Sequence, residues 1–436
     1  MSDVVRFTNG YIALSDGTAI KADLYISSNT GLILSGQQSF YESAQSPSKT
    51  IDLGGNILAP GLIDVQLNGA YGVDFSELSL QDPDGGDERY IAGLELVMRR
   101  IVETGCTSFI PTIITQKEEL YSKLLRLLRP RSTPGSAHIL GYHAEGPFLH
   151  PLRRGAHSET LLMTAGGEDP LSTIEKVYGK EGLDQAGVKL ITMAPDVEGI
   201  MESIPGLAAR GVTVSIGHSD ASLEVATKAV ENGARMITHL FNAMPPIHHR
   251  DPGVIGLLGS DDAKRPYFGM IVDGLHSHPN TVRIAYRAAS ERCVLVTDAQ
   301  SIMDPTLPDG VHDWRPGVRF HKEGYRVVIE GTDTLAGSCS PMPYCIRNLV
   351  AFTGTSLPNA LLTATLHPAQ LLGGAVARQK GQLKEGMDAD LCIMDWSGEV
   401  VSTWVMGREV WRDGRWGKAG STNGFGKDSM VNGHAK

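Results

Sequence analysis

The sequence predicts an α/β protein whose middle is a (β/α)8 TIM-type barrel, with a smaller β-rich unit drawn from both ends of the chain. Three observations predict it. Eight short apolar runs recur through the middle, at 63–68, 107–112, 138–145, 188–193, 212–218, 235–240, 267–272 and 293–298. Segments of helical period separate several of them, as at 88–104, 221–232 and 279–291. The two ends show a different texture, with brief alternating runs punctuated by Gly and Asn. Strand–helix–strand repetition implies a parallel sheet. Eight such units suggest closure into a barrel, which takes about 250 residues and carries its active site at the carboxyl ends of its strands. An open doubly wound sheet competes with this reading. The lack of a Gly-rich dinucleotide fingerprint after the first strand weighs against it.

"VVRFTNGYIAL" reads as a strand, an Asn-Gly turn and a strand, and "TIDLGGNILAPG" as a second short pair with a Gly-Gly turn. "KGQLKEGMDADLCIMD" and "VVSTWVMGREVWRDGRW" repeat that pattern near the other end. Both ends can therefore pair into one small sheet domain. The expected boundaries are 1–59 and 379–416 for this domain and 60–378 for the barrel. The Gly/Ser/Asn/Lys-rich stretch 417–436 is expected to be a disordered tail. Within the barrel, 164–186 (TAGGEDPLSTIEKVYGKEGLDQA) is polar and reads as a surface insertion.

Composition narrows the function. The formal net charge of −10 offers no basic surface for nucleic acid or an acidic membrane. An anionic small substrate stays open, because a few local Arg or His residues outweigh a distant net charge. The five cysteines are scattered and odd in number, which argues against a disulfide framework and fits a reducing compartment. The start lacks a basic patch followed by an apolar run, and no stretch approaches the ~20 apolar residues of a membrane span. A cytoplasmic protein is expected.

The chemistry collects where the strands stop. The first run ends in Gln66 and Asn68, the third in His143 and Glu145, the fifth in His218 and the sixth in His239. The seventh leads to Asp273, His276 and His278, and the eighth ends in Asp298. One His after a strand is commonly a turn or core residue. In a barrel, however, these ends form a single ring. Two neutral imidazoles and one carboxylate suit Zn²⁺ or a related divalent ion, with a position left for water. Glu145, His218 and His239 make such a set. Asp298 can take a proton from water and return it to a leaving amine, although an Asp after a strand also serves as a cap. His276 can donate a hydrogen bond to a carbonyl oxygen as charge builds on it.

Several sequence words now resemble the amidohydrolase superfamily and, more narrowly, the N-acetylglucosamine-6-phosphate deacetylase family. They are "APGLIDVQLNG", "HAEGPFL", "GHSDAS", "THLFNAMPP", "DPGVIG", "DGLHSHP", "LVTDA", "LAGS" and "KGQLKEGMDADL", in order over about residues 50–415. "PGLID" marks only the superfamily, whereas "HAEGPFL" with "THLFNAM" and "DGLH" marks the narrower family. The resemblance implies a (β/α)8 barrel with a small β-sandwich made from both chain ends. It implies hydrolysis of the acetamide of N-acetyl-D-glucosamine 6-phosphate to D-glucosamine 6-phosphate and acetate.

By motif, it implies metal binding by Glu145, His218 and His239, general acid/base work by Asp298 and carbonyl polarisation by His276. Substrate contacts are implied for Ala156, His157, Asn242, Ala243, Arg250, Asp273, Gly274, Leu275 and His276, and for the backbone of Leu335, Ala336 and Gly337. It also implies a homodimer in which the partner chain completes the phosphate pocket, with Arg250 as the crossing contact. Arg suits phosphate because its planar fork makes paired charge-assisted bonds.

Most amidohydrolases begin with His-x-His at the first strand. This chain has Gln66-x-Asn68, and carboxamides are poor ligands for Zn²⁺ beside imidazole. One divalent ion per chain is therefore expected, zinc foremost, with Co, Fe or Mn tolerated by the same donor set. Gln66 and Asn68 remain as vestiges of the second position. His248 and His249, before Arg250, read as loop residues, with a part in the phosphate pocket as the alternative. Two other functions stay in view. One is a different single-metal amidohydrolase, such as an N-acyl amino acid deacylase or a deaminase. The other is a non-catalytic scaffold, against which the intact Glu, His, His and Asp set argues.

Overall fold

The computed structural model describes residues 3–36, 47–78, 86–184, 187–261, 264–315, 318–333, 335 and 337–414. The stretch 417–436, expected to be a tail, lies outside these residues. Eight parallel strands run round the middle: β1 (Leu62–Leu67), β2 (Cys106–Ile114), β3 (Tyr142–Glu145), β4 (Val188–Met193), β5 (Thr213–Ile216), β6 (Met236–Ile237), β7 (Tyr267–Met270) and β8 (Cys293–Leu295). Each pairs in parallel with the next. The ring closes between β1 and the residues after β8. There the Asp298 N–H donates to the Gln66 carbonyl and the Asn68 N–H to the Ala299 carbonyl, both at 2.9 Å. Ile63, Val65, Ile110, Leu190, Met236 and Val294 share one apolar cluster with Leu371 and Leu372 of the helix Leu366–Leu372. The strands are buried at nearly every position because both faces of a parallel sheet are covered.

Three expected strands are divided or cut to two or three residues. The run 138–145 splits into His138–Ile139 and β3, with Gly141 at φ 136° between them. The run 235–240 yields only Met236–Ile237, because His239 turns out of the sheet at φ 27°. The run 293–298 stops at Leu295 for a similar reason, with Asp298 at φ 47°.

The segment 164–186 is not a surface insertion. It holds the helices Pro170–Tyr178 and Lys180–Asp184, and it buries Ile174, Val177, Tyr178 and Leu183 in the main core. The Tyr178 hydroxyl donates to the Gly146 carbonyl at 2.7 Å. This is the helical layer that joins β3 to β4.

The two ends form two further sheets. One orders Ile33–Leu34, Leu24–Ser27, Val4–Thr8 and Lys49–Asp52. The other orders Arg408–Arg412, Val400–Val405, Leu391–Met394, Ile57–Pro60, Tyr11–Ala13 and Ala19–Lys21. The Asn-Gly and Gly-Gly turns do not make hairpins. Each passes the chain from one sheet to the other, so Val4–Thr8 lies parallel to Lys49–Asp52 and Tyr11–Ala13 parallel to Ile57–Pro60. Gly10 permits this crossing, because a Cβ there would lie 2.5 Å from the Leu53 side chain. Phe7, Ile26, Leu58, Leu391 and Trp404 pack together, with the Phe7 and Trp404 rings 5.1 Å apart edge to face.

Lys380 fastens this unit to the barrel. Its buried Nζ donates to Asp390 at 2.5 Å, to Asp388 at 2.8 Å and to His138 Nδ1 at 3.2 Å. A third antiparallel sheet, Gly310–Arg315, Val318–Glu323 and Arg326–Ile329, follows β8. Among the described residues no helix is long and apolar enough to cross a membrane. All five cysteines are buried and unpaired.

Candidate active site

The carboxyl ends of the strands converge on a cavity of about 440 Å³. Three side chains reach it from positions where the backbone is strained. His218, His239 and Asp298 have φ of 49°, 27° and 47°. Such conformations cost a non-Gly residue of order 1–3 kcal/mol and persist where the surroundings impose them. Each turns the chain out of its strand and presents its side chain to the centre.

Glu145, at the end of β3, lies between the two imidazoles. Its Oε1 is 3.1 Å from His218 Nε2 and 3.1 Å from His239 Nε2, and the two Nε2 atoms are 3.1 Å apart. The His218 Nδ1–H donates to the Arg153 carbonyl at 2.8 Å, which turns Nε2 toward Glu145. Burial works to raise the Glu145 carboxyl, and the hydrogen bonds and charge of the two imidazoles outweigh it and hold it well below its ordinary value. A carboxylate oxygen and two imidazole nitrogens, buried and meeting at one point, fit a divalent metal. Ligand atoms of His138, Asp388 and Asp390 also lie within 4.8 Å of one another, but the Lys380 ammonium already holds that cation position.

Asp298 stands beside this set. Its Oδ1 accepts from Asn68 Nδ2 at 2.7 Å and from Gln66 Nε2 at 3.2 Å. Gln66 Nε2 also lies 3.3 Å from Glu145 Oε1. Both carboxamides thus turn their N–H groups toward carboxylates, and Gln66 Oε1 and Asn68 Oδ1 are buried without a hydrogen-bond partner. Burial, then the charge of Glu145, pushes the Asp298 carboxyl up to about 6. Below the site, the Thr297 hydroxyl donates to Asp64 at 2.5 Å and ties β8 to β1.

His276 is oriented by Asp273. Its Nδ1–H donates to Asp273 Oδ2 at 2.6 Å, while Asp273 Oδ1 accepts the backbone N–H groups of Leu275 and His276 at 2.8 and 2.9 Å. Burial works to lower His276, and the Asp273 hydrogen bond and charge outweigh it and raise it. His157 is held differently. Its Nδ1 accepts the Thr115 backbone N–H at 3.2 Å, so a neutral ring keeps its proton on Nε2. Burial, then the neighbouring His218, brings His157 down to about 3.

Asn68, Glu145, Ala156, His157, His218, His239, Asn242, Ala243, His276, Asp298, Leu335 and Gly337 all line the cavity. Gln66 is fully buried beneath them. Asp273 sits behind His276, and Gly274 and Leu275 carry the loop between them without lining the cavity. Arg250 is exposed on its loop, outside the cavity. Ala336 falls outside the described residues. His143, two residues before Glu145, is buried and hydrogen-bonded to Thr192 at 2.7 Å. Sequence reasoning missed Gln300 and Ile329, which also line the cavity. The spacing of Gln300, two residues beyond Asp298, was the available signal.

A parallel eight-stranded barrel with a Glu–His–His donor set at its strand ends defines the class: a barrel hydrolase that works with a divalent metal. The chain belongs to the amidohydrolase family, whose model matches residues 57–410, and within it to the N-acetylglucosamine-6-phosphate deacetylase family. It is 42% identical over 413 residues to the N-acetylglucosamine-6-phosphate deacetylase of Bos taurus, an alignment that covers 94% of this chain and 96% of that protein. Against the protein of the same name from Bacillus subtilis (strain 168), the identity is 31% over 403 residues, covering 91% of each. The solved structure of N-acetylglucosamine-6-phosphate deacetylase from Pasteurella multocida superposes with a TM-score of 0.77 at 28% identity, over 93% of this chain and 99% of that one.

Proposed function

We propose that this protein hydrolyses the acetamide of N-acetyl-D-glucosamine 6-phosphate to D-glucosamine 6-phosphate and acetate, in amino-sugar catabolism or salvage in the cytosol. The observation that carries the reading is the meeting of Glu145, His218 and His239 at 3.1 Å spacings beside Asp298, in a chain 42% identical to deacetylases of that name. Residues 60–378 supply the catalytic barrel, and 1–59 with 379–416 supply a β-sandwich domain.

A divalent metal held by Glu145, His218 and His239 supplies Lewis acidity, lowering the pKa of water and polarising the acetamide oxygen. We assign one ion per chain, zinc foremost among Zn, Co, Fe and Mn. Gln66 and Asn68 support that count, because their amide N–H groups face Asp298 and act as donors instead of ligands.

Asp298 takes the proton of the attacking water. Its Oδ1 already accepts two amide N–H groups, which leaves Oδ2 for the transfer. The water oxygen bonds to the carbonyl carbon, and the carbonyl electron pair moves onto oxygen, where His276 donates a hydrogen bond. The C–N bond then breaks as Asp298 passes its proton to the departing nitrogen.

The phosphate needs charge from elsewhere. Among the described residues no Arg or Lys lines the cavity of this single chain, while Arg250 stands exposed. We assign Arg250 to the phosphate pocket of a partner chain in a homodimer. The test is acetate release from the phosphorylated and unphosphorylated sugars, beside elemental analysis. Release that depends on the phosphate, with about one metal per chain, supports the reading; metal without release overturns the substrate. Arg250→Ala should raise KM far more for the phosphorylated sugar, and equal effects on both sugars would remove its phosphate role.

A further inference from the structure

Gln300 has no place in the chemistry above, yet it lines the same cavity as Asn68 and Asp298. Its backbone is fixed on both sides. The Gln300 N–H donates to the Ser338 carbonyl, and the Gln300 carbonyl accepts from the Met303 N–H, each at 2.9 Å. Its neighbour Ala299 bridges both Leu67 and Ser338 in parallel, so the residue is part of the closing seam of the barrel. The side chain is fixed as well. A Cβ on Gly337, which has φ +100°, would stand 2.5 Å from Gln300 Cγ and 3.5 Å from its Nε2. The missing side chain at 337 is what gives Gln300 its path along the cavity wall. Among the described residues its amide meets no protein hydrogen-bond partner, and its atoms are not among those sealed from solvent. A positioned carboxamide, open at its polar end, offers one acceptor and two donors to whatever fills the cavity.

We infer that Gln300 reads a hydroxyl flanking the acetamido carbon of the sugar, at C1 or C3, and so is a specificity-determining residue of this site. The inference rests on the substrate reading above. The acetamide must lie against Asp298 and His276 to react, and Gln300 is two residues beyond Asp298 on the same cavity wall. The groups nearest a reacting nitrogen on C2 are the hydroxyls on C1 and C3, whereas the 6-phosphate lies at the far end of the sugar. A carboxamide pairs with a hydroxyl as donor and acceptor together, and a site built to bond a hydroxyl penalises the analogue that lacks it. Gln300 makes none of the described contacts to the metal set, so its loss should act on binding and spare the metal.

The experiment compares wild type with Gln300→Ala, both loaded with metal, on N-acetylglucosamine 6-phosphate and on its 1-deoxy and 3-deoxy analogues. Metal content and thermal midpoint are measured for both proteins. The expected result is a KM raised about tenfold in the variant, with kcat and metal content unchanged. Wild type should lose a similar factor on one of the two analogues, and the variant should lose nothing further on that analogue. A variant with unchanged KM overturns the inference. So does an analogue penalty that is equal in wild type and variant. Failure of the substrate reading looks different: wild type itself would release no acetate from N-acetylglucosamine 6-phosphate, and the inference would fall with it.

Discussion

Replacing Asp273 by Asn removes one charge and almost no volume, and the structure sets the size of the consequence. Asp273 Oδ1 accepts two backbone N–H groups at 2.8 and 2.9 Å, and the Asn oxygen can keep both. Oδ2 accepts the His276 Nδ1–H at 2.6 Å, and there the Asn places an N–H₂ group instead. Donor would face donor, so His276 must give up its Nδ1 proton, keep the one on Nε2 and accept on Nδ1. The ring still donates Nε2–H toward the acetamide oxygen, but as a neutral donor in place of a charged one. Charge-assisted hydrogen bonds are worth roughly twice neutral ones, a difference of about 1–1.5 kcal/mol, or roughly tenfold in rate.

The dependence on pH carries the sharper test. Asp273 raises His276, so the wild-type ring keeps its charge below the raised value and loses it as pH climbs through that value. The same pair stabilises the fold fully below the unfolded His value of about 6.5 and loses that contribution at higher pH. The assay is kcat/KM from about pH 6 to about pH 10. Asp273→Asn should run about tenfold below wild type at the acid end, and the gap should close and reverse at the alkaline end, where the wild-type ring is neutral and its one proton is held on Nδ1 by Asp273. A deficit of constant size across the range would refute the role given to the charge.

Two further changes test the framework. Ile174→Ala should destabilise the protein by about 2–4 kcal/mol in denaturant unfolding, because Ile174 is fully buried between the barrel and its helical layer; a cost under about 0.5 kcal/mol would return the segment to the surface. Asp64 is pushed up to about 7 by burial, against the hydrogen bonds of Thr297. The folded state therefore holds this proton more tightly than the unfolded chain, and stability should fall as pH rises from the ordinary value of 3.8 to about 7 and level off above it. Asp64→Asn should flatten that fall, and identical pH dependence in both proteins would count against the shift.

How much of this was legible depends on the kind of signal. The eight strands announced themselves as apolar runs, since both faces of a parallel sheet are buried. Where those runs stop was harder to see. His239 and Asp298 leave their strands through positive φ, and nothing in the residue types announces that turn. The helix Pro170–Tyr178 was visible in the spacing of Leu171, Ile174 and Tyr178, but the flanking Gly-Gly-Glu-Asp obscured it. The sheet over 310–329 carries alternating residues round Gly324, and its contribution to the site, Ile329, is a plain aliphatic with no chemical signature. Glu145, His218, His239 and Asp298 were legible because ionisable groups at strand ends are few and their chemistry is selective. Gln300 was not, because a neutral side chain gains meaning only from the cavity it faces. The switching of strands between the two terminal sheets was also hidden, because an Asn-Gly turn serves a hairpin and a crossing equally well.

The central claim is that Glu145, His218 and His239 hold the ion while Asp298 moves the proton. Asp298→Asn separates the two jobs, because the amide keeps the shape of the carboxylate and loses its basicity. Bound metal and acetate release from N-acetylglucosamine 6-phosphate should be measured on the same preparation. The account predicts metal retained at the wild-type ratio, with kcat lowered by a factor of about 10²–10⁴. Turnover at the wild-type rate with the metal in place would contradict it.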